Sequence, residues 1–139
     1  NTNLTVSSTQ TLTFAALGNS ALRADGSPRY GVGATTGGPT VNGAFWNEDT
    51  GQDSCRNFLD SVGTSTNVTT AQAITTTTRT FAILRNGATN IVYQVGGTTV
   101  VTHTTNLPTV STNFEININT DGTAGTRQFD VQSYSIATT

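Results

Sequence analysis

The sequence lacks several residues on which catalytic and metal chemistry depends. Its 139 residues include six arginines but no lysine, no methionine, one cysteine and one histidine. A single cysteine forms no internal disulfide and completes no thiolate metal site, and a lone histidine builds no metal site. No Gly-x-Ser-x-Gly nucleophile motif occurs. We therefore expect a protein that is not an enzyme, with Cys55 as a small buried apolar side chain and His103 as a half-exposed strand residue.

Strong charge and long apolar runs are also missing. The net charge is −2 and only 10% of the residues are charged, so the chain offers no basic field to nucleic acid. No apolar run approaches the roughly 18 residues that a membrane span needs. Neither nucleic acid nor membrane is an expected partner. Because the chain does not begin with methionine, we expect it to be processed, trimmed or excised from a longer one.

Threonine dominates what is present, with 31 positions beside 13 asparagines and 14 glycines. Threonine is β-branched and suits a pleated surface better than a helix. Ten aromatic residues and a regular two-residue apolar alternation distinguish the chain from a disordered threonine-rich stalk. Its length fits a single domain, residues 1–139.

Short alternating segments separated by Gly, Asn, Asp and Pro predict an all-β sandwich or barrel. At Gly96-Gly97 a primed hairpin turn is expected, because both positions tolerate positive φ. The segment Phe114–Asn119 predicts a strand whose apolar side chains face inward. An edge strand is predicted at Asn67–Ile74, and a loop over Gly18–Pro28. The predicted strands of the middle and second half include Ser54–Leu59, Arg79–Arg85, Asn90–Val95 and Thr98–His103.

The acidic stretch Glu48, Asp49 and Asp53 is a candidate hard-cation site, since Ca²⁺ takes six to eight oxygen ligands. Its spacing does not match an EF-hand, and a solvated acidic loop explains the same residues. Paired carboxylates also cut glycosides, but nothing in the sequence sets Glu48 opposite Glu115, the other glutamate. We expect no cofactor, with Ca²⁺ as the alternative.

Aromatic side chains offer the best candidate contact surface. Tyr30, Trp46 and Tyr93 are amphipathic and can stack on sugar rings. Trp46 is followed by Asn47 and Glu48, which provide polar groups for sugar hydroxyls. The alternative is that Trp46 fills the core beneath the acidic loop.

The second half of the chain resembles a recurrent stretch of concanavalin/laminin-G-like jelly rolls in phage structural proteins. The resemblance lies in a strand, a hairpin of the form hydrophobic-x-hydrophobic-x-Gly, a Thr-Asn-Leu-Pro segment and a final alternating pair around an Asp-Gly-Thr-Ala turn. Upstream, Arg29–Gly33 and Gly43–Trp46 are similar to the early strands of that family. The specific segments are Arg79–Arg85, Val92–Val101, Thr104–Thr109, Phe114–Ile118 and Phe129–Ile136.

This resemblance implies a two-sheet antiparallel jelly-roll sandwich, concanavalin-like, that acts as a capsid decoration or as a head-fibre or tail-fibre module. The implied location is the virion surface. The implied partners are other virion proteins and copies of the chain itself, a trimer being favoured. The family often has acidic Ca²⁺ loops or a glycan site, and neither matches here residue by residue. The alternative function is a carbohydrate-binding domain for host-surface attachment, with Tyr30, Trp46, Asn47 and Glu48 as its site.

Overall fold

A computed structural model describes residues 3–4, 9–17, 26–34, 38–49, 52–68, 79–109, 112–120 and 130–138. Within these ranges the side chains are described at 31, 40–47, 54–67, 80–109 and 135. The described residues form strands joined by short turns, and no helix among them is long and apolar enough to cross a membrane. The strands are β1 Asn3–Leu4, β2 Thr9–Leu17, β3 Gly26–Ala34, β4 Gly38–Asp49, β5 Gln52–Leu59, β6 Val62–Val68, β7 Arg79–Asn86, β8 Asn90–Val95, β9 Thr98–His103, β10 Thr112–Thr120 and β11 Asp130–Thr138.

The strands form two antiparallel sheets. One has six strands in the order β1-β10-β3-β4-β5-β6, and the other has five in the order β11-β2-β7-β8-β9. The run β3 to β6 is sequential in the first sheet, and the run β7 to β9 is sequential in the second. The terminal strands pair with strands far away in the sequence, since β1 pairs with β10 and β11 pairs with β2. The predicted all-β, two-sheet jelly-roll sandwich is confirmed.

Alternation along each strand separates a core face from an outer face. On β4, Ala44 and Trp46 belong to the core cluster, and Cys55 on β5 joins them. The five-stranded sheet contributes Phe81 and Tyr93, both 0% exposed. Trp46 packs edge-on against both of these rings, at centroid distances of 5.4 Å and 5.6 Å. Such aromatic contacts add to the free energy that comes from burying the rings.

Two elements differ from the sequence prediction. β3 begins at Gly26, so residues 26–28 belong to a strand and not to the predicted loop; they pair with Ile118–Thr120 of β10. The edge of the six-stranded sheet is β6, Val62–Val68, which begins five residues before the predicted edge strand. Alternation missed β6 because an edge strand exposes its hydroxyls and needs few apolar residues. Residues 69–74 of that prediction lie outside the described residues.

The Gly96-Gly97 hairpin is confirmed. Both glycines adopt positive φ, +57° and +81°, as a primed turn between β8 and β9 requires. On β10, the register places positions 114 and 116 in the same rows as Ala44 and Trp46. Those rows face the core, as the alternation predicted for Phe114 and Ile116.

Candidate functional site

Trp46 is 1% exposed and lies inside the sandwich. A sugar ring stacks only on an accessible aromatic face, so the expectation that Trp46 is a stacking platform is wrong. Its alternative, that Trp46 fills the core, describes the structure. Trp46 is buried because side chains alternate between the two faces of β4, and Trp46 lies on the core face together with Ala44. Tyr93, the third candidate aromatic, is 0% exposed and is also a core residue.

The other proposed sugar contacts are divided between the two faces of the sheet. Tyr30 is paired directly with Trp46 across β3 and β4, so position 30 belongs to the core face by register. Asn47 follows Trp46 and belongs to the outer face, where it is 2% exposed. Glu48 is two residues after Trp46, so position 48 belongs by alternation to the same face of β4 as Trp46. The backbone therefore does not bring Tyr30, Trp46, Asn47 and Glu48 onto one surface. The side chains of Tyr30 and Glu48 lie outside the described residues.

The three acidic residues lie on a β-hairpin, not in a loop. Glu48 and Asp49 end β4, and Asp53 lies on β5. Glu48 pairs directly with Asp53, whereas Asp49 pairs with Gln52 on the opposite face. Their side chains lie outside the described residues, so a Ca²⁺ site at this hairpin stays a prediction. The register places positions 48 and 53 on the same face, so Glu48 and Asp53 are the two acidic residues that such a site would share.

The outer face of the six-stranded sheet brings an aromatic pair and several polar groups together. In register, Phe45 pairs with Arg56 and Arg56 pairs with Ser65. The flanking rows pair Asn47 with Ser54 and Gly43 with Phe58. The described side chains of this outer face are Phe45, Asn47, Ser54, Arg56, Phe58, Ser65 and Asn67. This arrangement combines a ring surface with hydrogen-bonding groups.

Phe58 lies near the end of β5, the strand next to the edge strand β6. Its ring is parallel to that of Phe45, with an interplanar angle of 3° and a centroid distance of 5.9 Å. Beneath it is Gly63 of β6, where an added Cβ would come within 2.5 Å of Phe58 Cε1. Phe45 is 1% exposed, whereas Phe58 is only half-buried. Phe58 is therefore the accessible ring of the pair, and Gly63 leaves it room to lie against the sheet.

Arg56 is the charged residue among the described side chains of this face, two residues before Phe58 on β5. Its Nε donates a 3.0 Å hydrogen bond to Ser54 Oγ, which fixes the side chain along the strand. Arg56 is half-buried, and its neighbours on β6, Ser65 and Asn67, are exposed. The outer face is therefore buried at β4 and at Ser54 of β5, and it is more accessible at Arg56, Phe58 and β6. Hydroxyl-rich ligands need such donors and acceptors next to an apolar surface.

The outer face of the five-stranded sheet has a different character in its described part. Its half-buried side chains are Leu84, Val92 and Gln94, to which Thr102 adds an exposed hydroxyl. It presents no aromatic ring and no charge among the described side chains. The six-stranded sheet is therefore the better candidate surface.

His103 is buried, 3% exposed, where a half-exposed residue was expected. Its Nδ1 is hydrogen-bonded to Asn57 Oδ1, and its Nε2 lies 2.8 Å from Thr66 Oγ1. Burial lowers the pKa of His103 below its ordinary value. Both ring nitrogens of His103 are engaged and Cys55 lies 0% exposed in the core, so His103 is not an accessible base and Cys55 is not an accessible nucleophile. The expectation of a buried apolar Cys55 is confirmed.

The outer-face residues Arg56 and Phe58 were not identified from the sequence, although their strand was. A signal exists in that strand, because Ser54, Arg56 and Phe58 alternate with Cys55 and Asn57. Cys55 and Asn57 are both 0% exposed, which fixes the other parity as the outer one. The sequence does not show that Gly63 lies under the Phe58 ring, because this contact depends on how β5 pairs with β6.

Several solved structures share this fold. Sheep galectin-11 in complex with glycerol is 11% identical, with a TM-score of 0.66 over 98% of this chain and 95% of that one. A galectin of Caenorhabditis elegans, LEC-6, is 13% identical, with a TM-score of 0.64 over 98% and 89% of the two chains. No family model matches the sequence, and no curated protein does.

The binding domain of botulinum neurotoxin serotype D is also similar, at 12% identity and a TM-score of 0.63. The match covers 99% of this chain and 34% of that one, so the present fold corresponds to about one third of the toxin chain. At these identities the likeness is one of fold. It agrees with the sandwich architecture that the sequence resemblance implied.

Proposed function

We propose that this domain binds carbohydrate through the outer face of its six-stranded sheet. The observation that carries the proposal is the half-buried ring of Phe58, which lies over Gly63 on the same face of β5 as Arg56. A pyranose presents one apolar C–H face and a rim of hydroxyls. The Phe58 ring suits the first, and the polar side chains around it suit the second.

Arg56 supplies the donors in this proposal. Its Nε bond to Ser54 holds the guanidinium in place and leaves the two terminal amino groups outside that bond. A guanidinium is planar and carries five N–H donors in a fixed arrangement, so it can bind two neighbouring hydroxyl oxygens together. The hydroxyl of Ser65, paired with Arg56 on β6 and exposed, extends the polar rim.

The structural neighbours support the same class of function. Two of them are galectins, which are lectins by name, and the sheep protein was solved with glycerol, a polyol with adjacent hydroxyl groups. Other neighbours are receptor-binding domains of botulinum neurotoxin. Attachment to a host-surface glycan, the alternative reached from the sequence, fits this class better than a purely structural role.

The proposal is tested by screening the wild-type domain on a glycan array and repeating the screen with Phe58→Ala and Arg56→Ala. We expect both variants to lose at least about tenfold in affinity for the glycans that the wild type retains, a loss typical of removing a central contact. Leu84→Ala is the matched control, since Leu84 is half-buried on the opposite sheet. Equal binding by all three variants would contradict the proposal.

A structural role on a virus particle, as capsid decoration or fibre module, stays a prediction from the sequence resemblance, as does a homo-oligomer with a favoured trimer. The two roles are compatible, because a fibre module that binds glycan would serve attachment. Light scattering of the purified domain measures its oligomeric state. A strictly monomeric mass, together with absence of the protein from purified particles, would contradict the virion prediction.

A further inference from the structure

Arg85 is a buried arginine that the outer-face site does not use. It lies near the end of β7, with the core parity of Phe81 and Ile83, and is 5% exposed. In register it pairs with Gln10 of β2 and Ile91 of β8. A charged side chain therefore occupies a core position at one end of the sandwich.

Two nitrogens of this guanidinium, Nε and Nη2, are buried and find no hydrogen-bond acceptor among the described residues. These two atoms form one edge of the guanidinium, and their N–H groups are parallel. This is the edge that binds a carboxylate or phosphate through two hydrogen bonds. Burying a cation without a partner is unfavourable, so such a group is a strong anion binder.

No counter-charge to Arg85 is found among the side chains that the structure describes. The two residues paired with Arg85, Gln10 and Ile91, are neutral. Among the described side chains the one carboxylate is that of Asp60, which accepts from Asn42 Nδ2 at 3.1 Å. Burial also lowers the pKa of Arg85 below its ordinary value, because it removes water from around the charged guanidinium.

We propose that Arg85 binds an oxyanion side-on, through Nε–H and Nη2–H, at this end of the sandwich. The ligand class is a group with two oxygens at carboxylate or phosphate spacing. Because both donor nitrogens are buried, the side chains over them have to move aside before the ligand reaches and neutralises the guanidinium. This site is separate from the outer face, because Arg85 has core parity on the opposite sheet.

The test is an NMR titration of the arginine Nε–H signals of the ¹⁵N-labelled domain. One arm uses inorganic phosphate, a second uses acetate, and a chloride titration at the same ionic strength is the control. We expect the Arg85 signal to shift and saturate in at least one oxyanion arm, while signals of exposed arginines change little. Saturation with acetate alone identifies a carboxylate ligand, and saturation with phosphate alone identifies a phosphate group.

In Arg85→Lys the Nε–H signal of Arg85 disappears, which identifies that signal in the wild-type spectrum. The variant keeps the positive charge but loses the pair of parallel N–H donors. We expect the variant to bind the same anion at least about tenfold more weakly, measured by the ligand-induced rise in Tm. If the variant does not fold, the wild-type titration decides alone, with the signal assigned through side-chain correlations. An Arg85 signal that responds to phosphate and acetate no more than to chloride would overturn the proposal.

Discussion

His103 and Asn57 join the two sheets through one hydrogen bond, from the imidazole Nδ1 to the amide Oδ1. The roles of the atoms follow from the surroundings. Asn57 Nδ2 donates to the carbonyl oxygens of Thr105 and Asn106, at 2.7 Å and 2.6 Å, so Oδ1 is the acceptor. His103 therefore carries its proton on Nδ1, and Nε2 accepts from the hydroxyl of Thr66. This network closes the sandwich where edge strands β6 and β9 meet.

The stability of the domain depends on Asn57. Asn57→Ala removes the acceptor for His103 and the donor that two loop carbonyls share; the carbonyl of Thr105 keeps only a 3.4 Å bond from Thr64 Oγ1. We expect the free energy of unfolding to fall by about 2–4 kcal/mol, measured by urea denaturation. Asn86→Ala is the matched control, because Asn86 is exposed and its side-chain amide donates to Asn90 Oδ1 at the surface. An equal loss in both variants would show that the interior network does not stabilise the fold.

His103 makes stability depend on pH. Burial holds the pKa of His103 below its ordinary value of 6.5, so the unfolded chain takes up a proton at a higher pH than the folded protein does. We expect the free energy of unfolding to fall as pH drops below about 6.5 and to level off below the folded pKa. Urea denaturation between pH 5 and about pH 8 measures it.

The control for this pH dependence is His103→Gln, which retains an amide donor and acceptor but does not titrate. Carboxylates contribute equally to both proteins, so the difference between wild type and variant isolates His103. The same dependence in both proteins would exclude His103 as its source.

Trp46 is expected to affect stability and not glycan binding. Trp46→Ala leaves a cavity between Phe81 and Tyr93, and we expect a loss of about 3–5 kcal/mol in the free energy of unfolding, followed by far-UV circular dichroism. Trp46→Phe keeps most of the apolar volume and should retain glycan binding. Lost binding in a stably folded Trp46→Phe variant would restore the stacking role that the sequence suggested.

The fold was largely predictable, because alternation on β4, β5, β7 and β8 sets the core face. The site was not, because it depends on register. Trp46 and Asn47 are adjacent in sequence and lie on opposite faces of one strand, whereas Phe58 and Gly63 come together only through the pairing of β5 with β6. His103 was misjudged for a similar reason. Its hydrogen-bond partners lie 46 and 37 residues away, so no local pattern indicates that its burial is satisfied.

Gly63 determines where the Phe58 ring lies. In Gly63→Ala the new methyl group would meet Phe58 Cε1 at 2.5 Å, so the ring has to move. Gly63 is exposed on an edge strand, and we expect a change of no more than about 1–2 kcal/mol in stability. Glycan affinity should fall several-fold, measured by calorimetry with an array-selected oligosaccharide. Thr102→Ala on the other sheet is the control, and unchanged affinity in Gly63→Ala would mean that the ring position does not matter.

Sugar binding by the outer face at Phe58 and Arg56 is the property on which the proposed function depends. The most direct measurement is a crystal structure of the domain with the oligosaccharide that it retains best on a glycan array. We expect a pyranose ring stacked on Phe58, with its hydroxyls bonded to Arg56 and Ser65. A sugar bound elsewhere on the domain, or an array on which the folded wild-type domain retains no glycan, would contradict the claim.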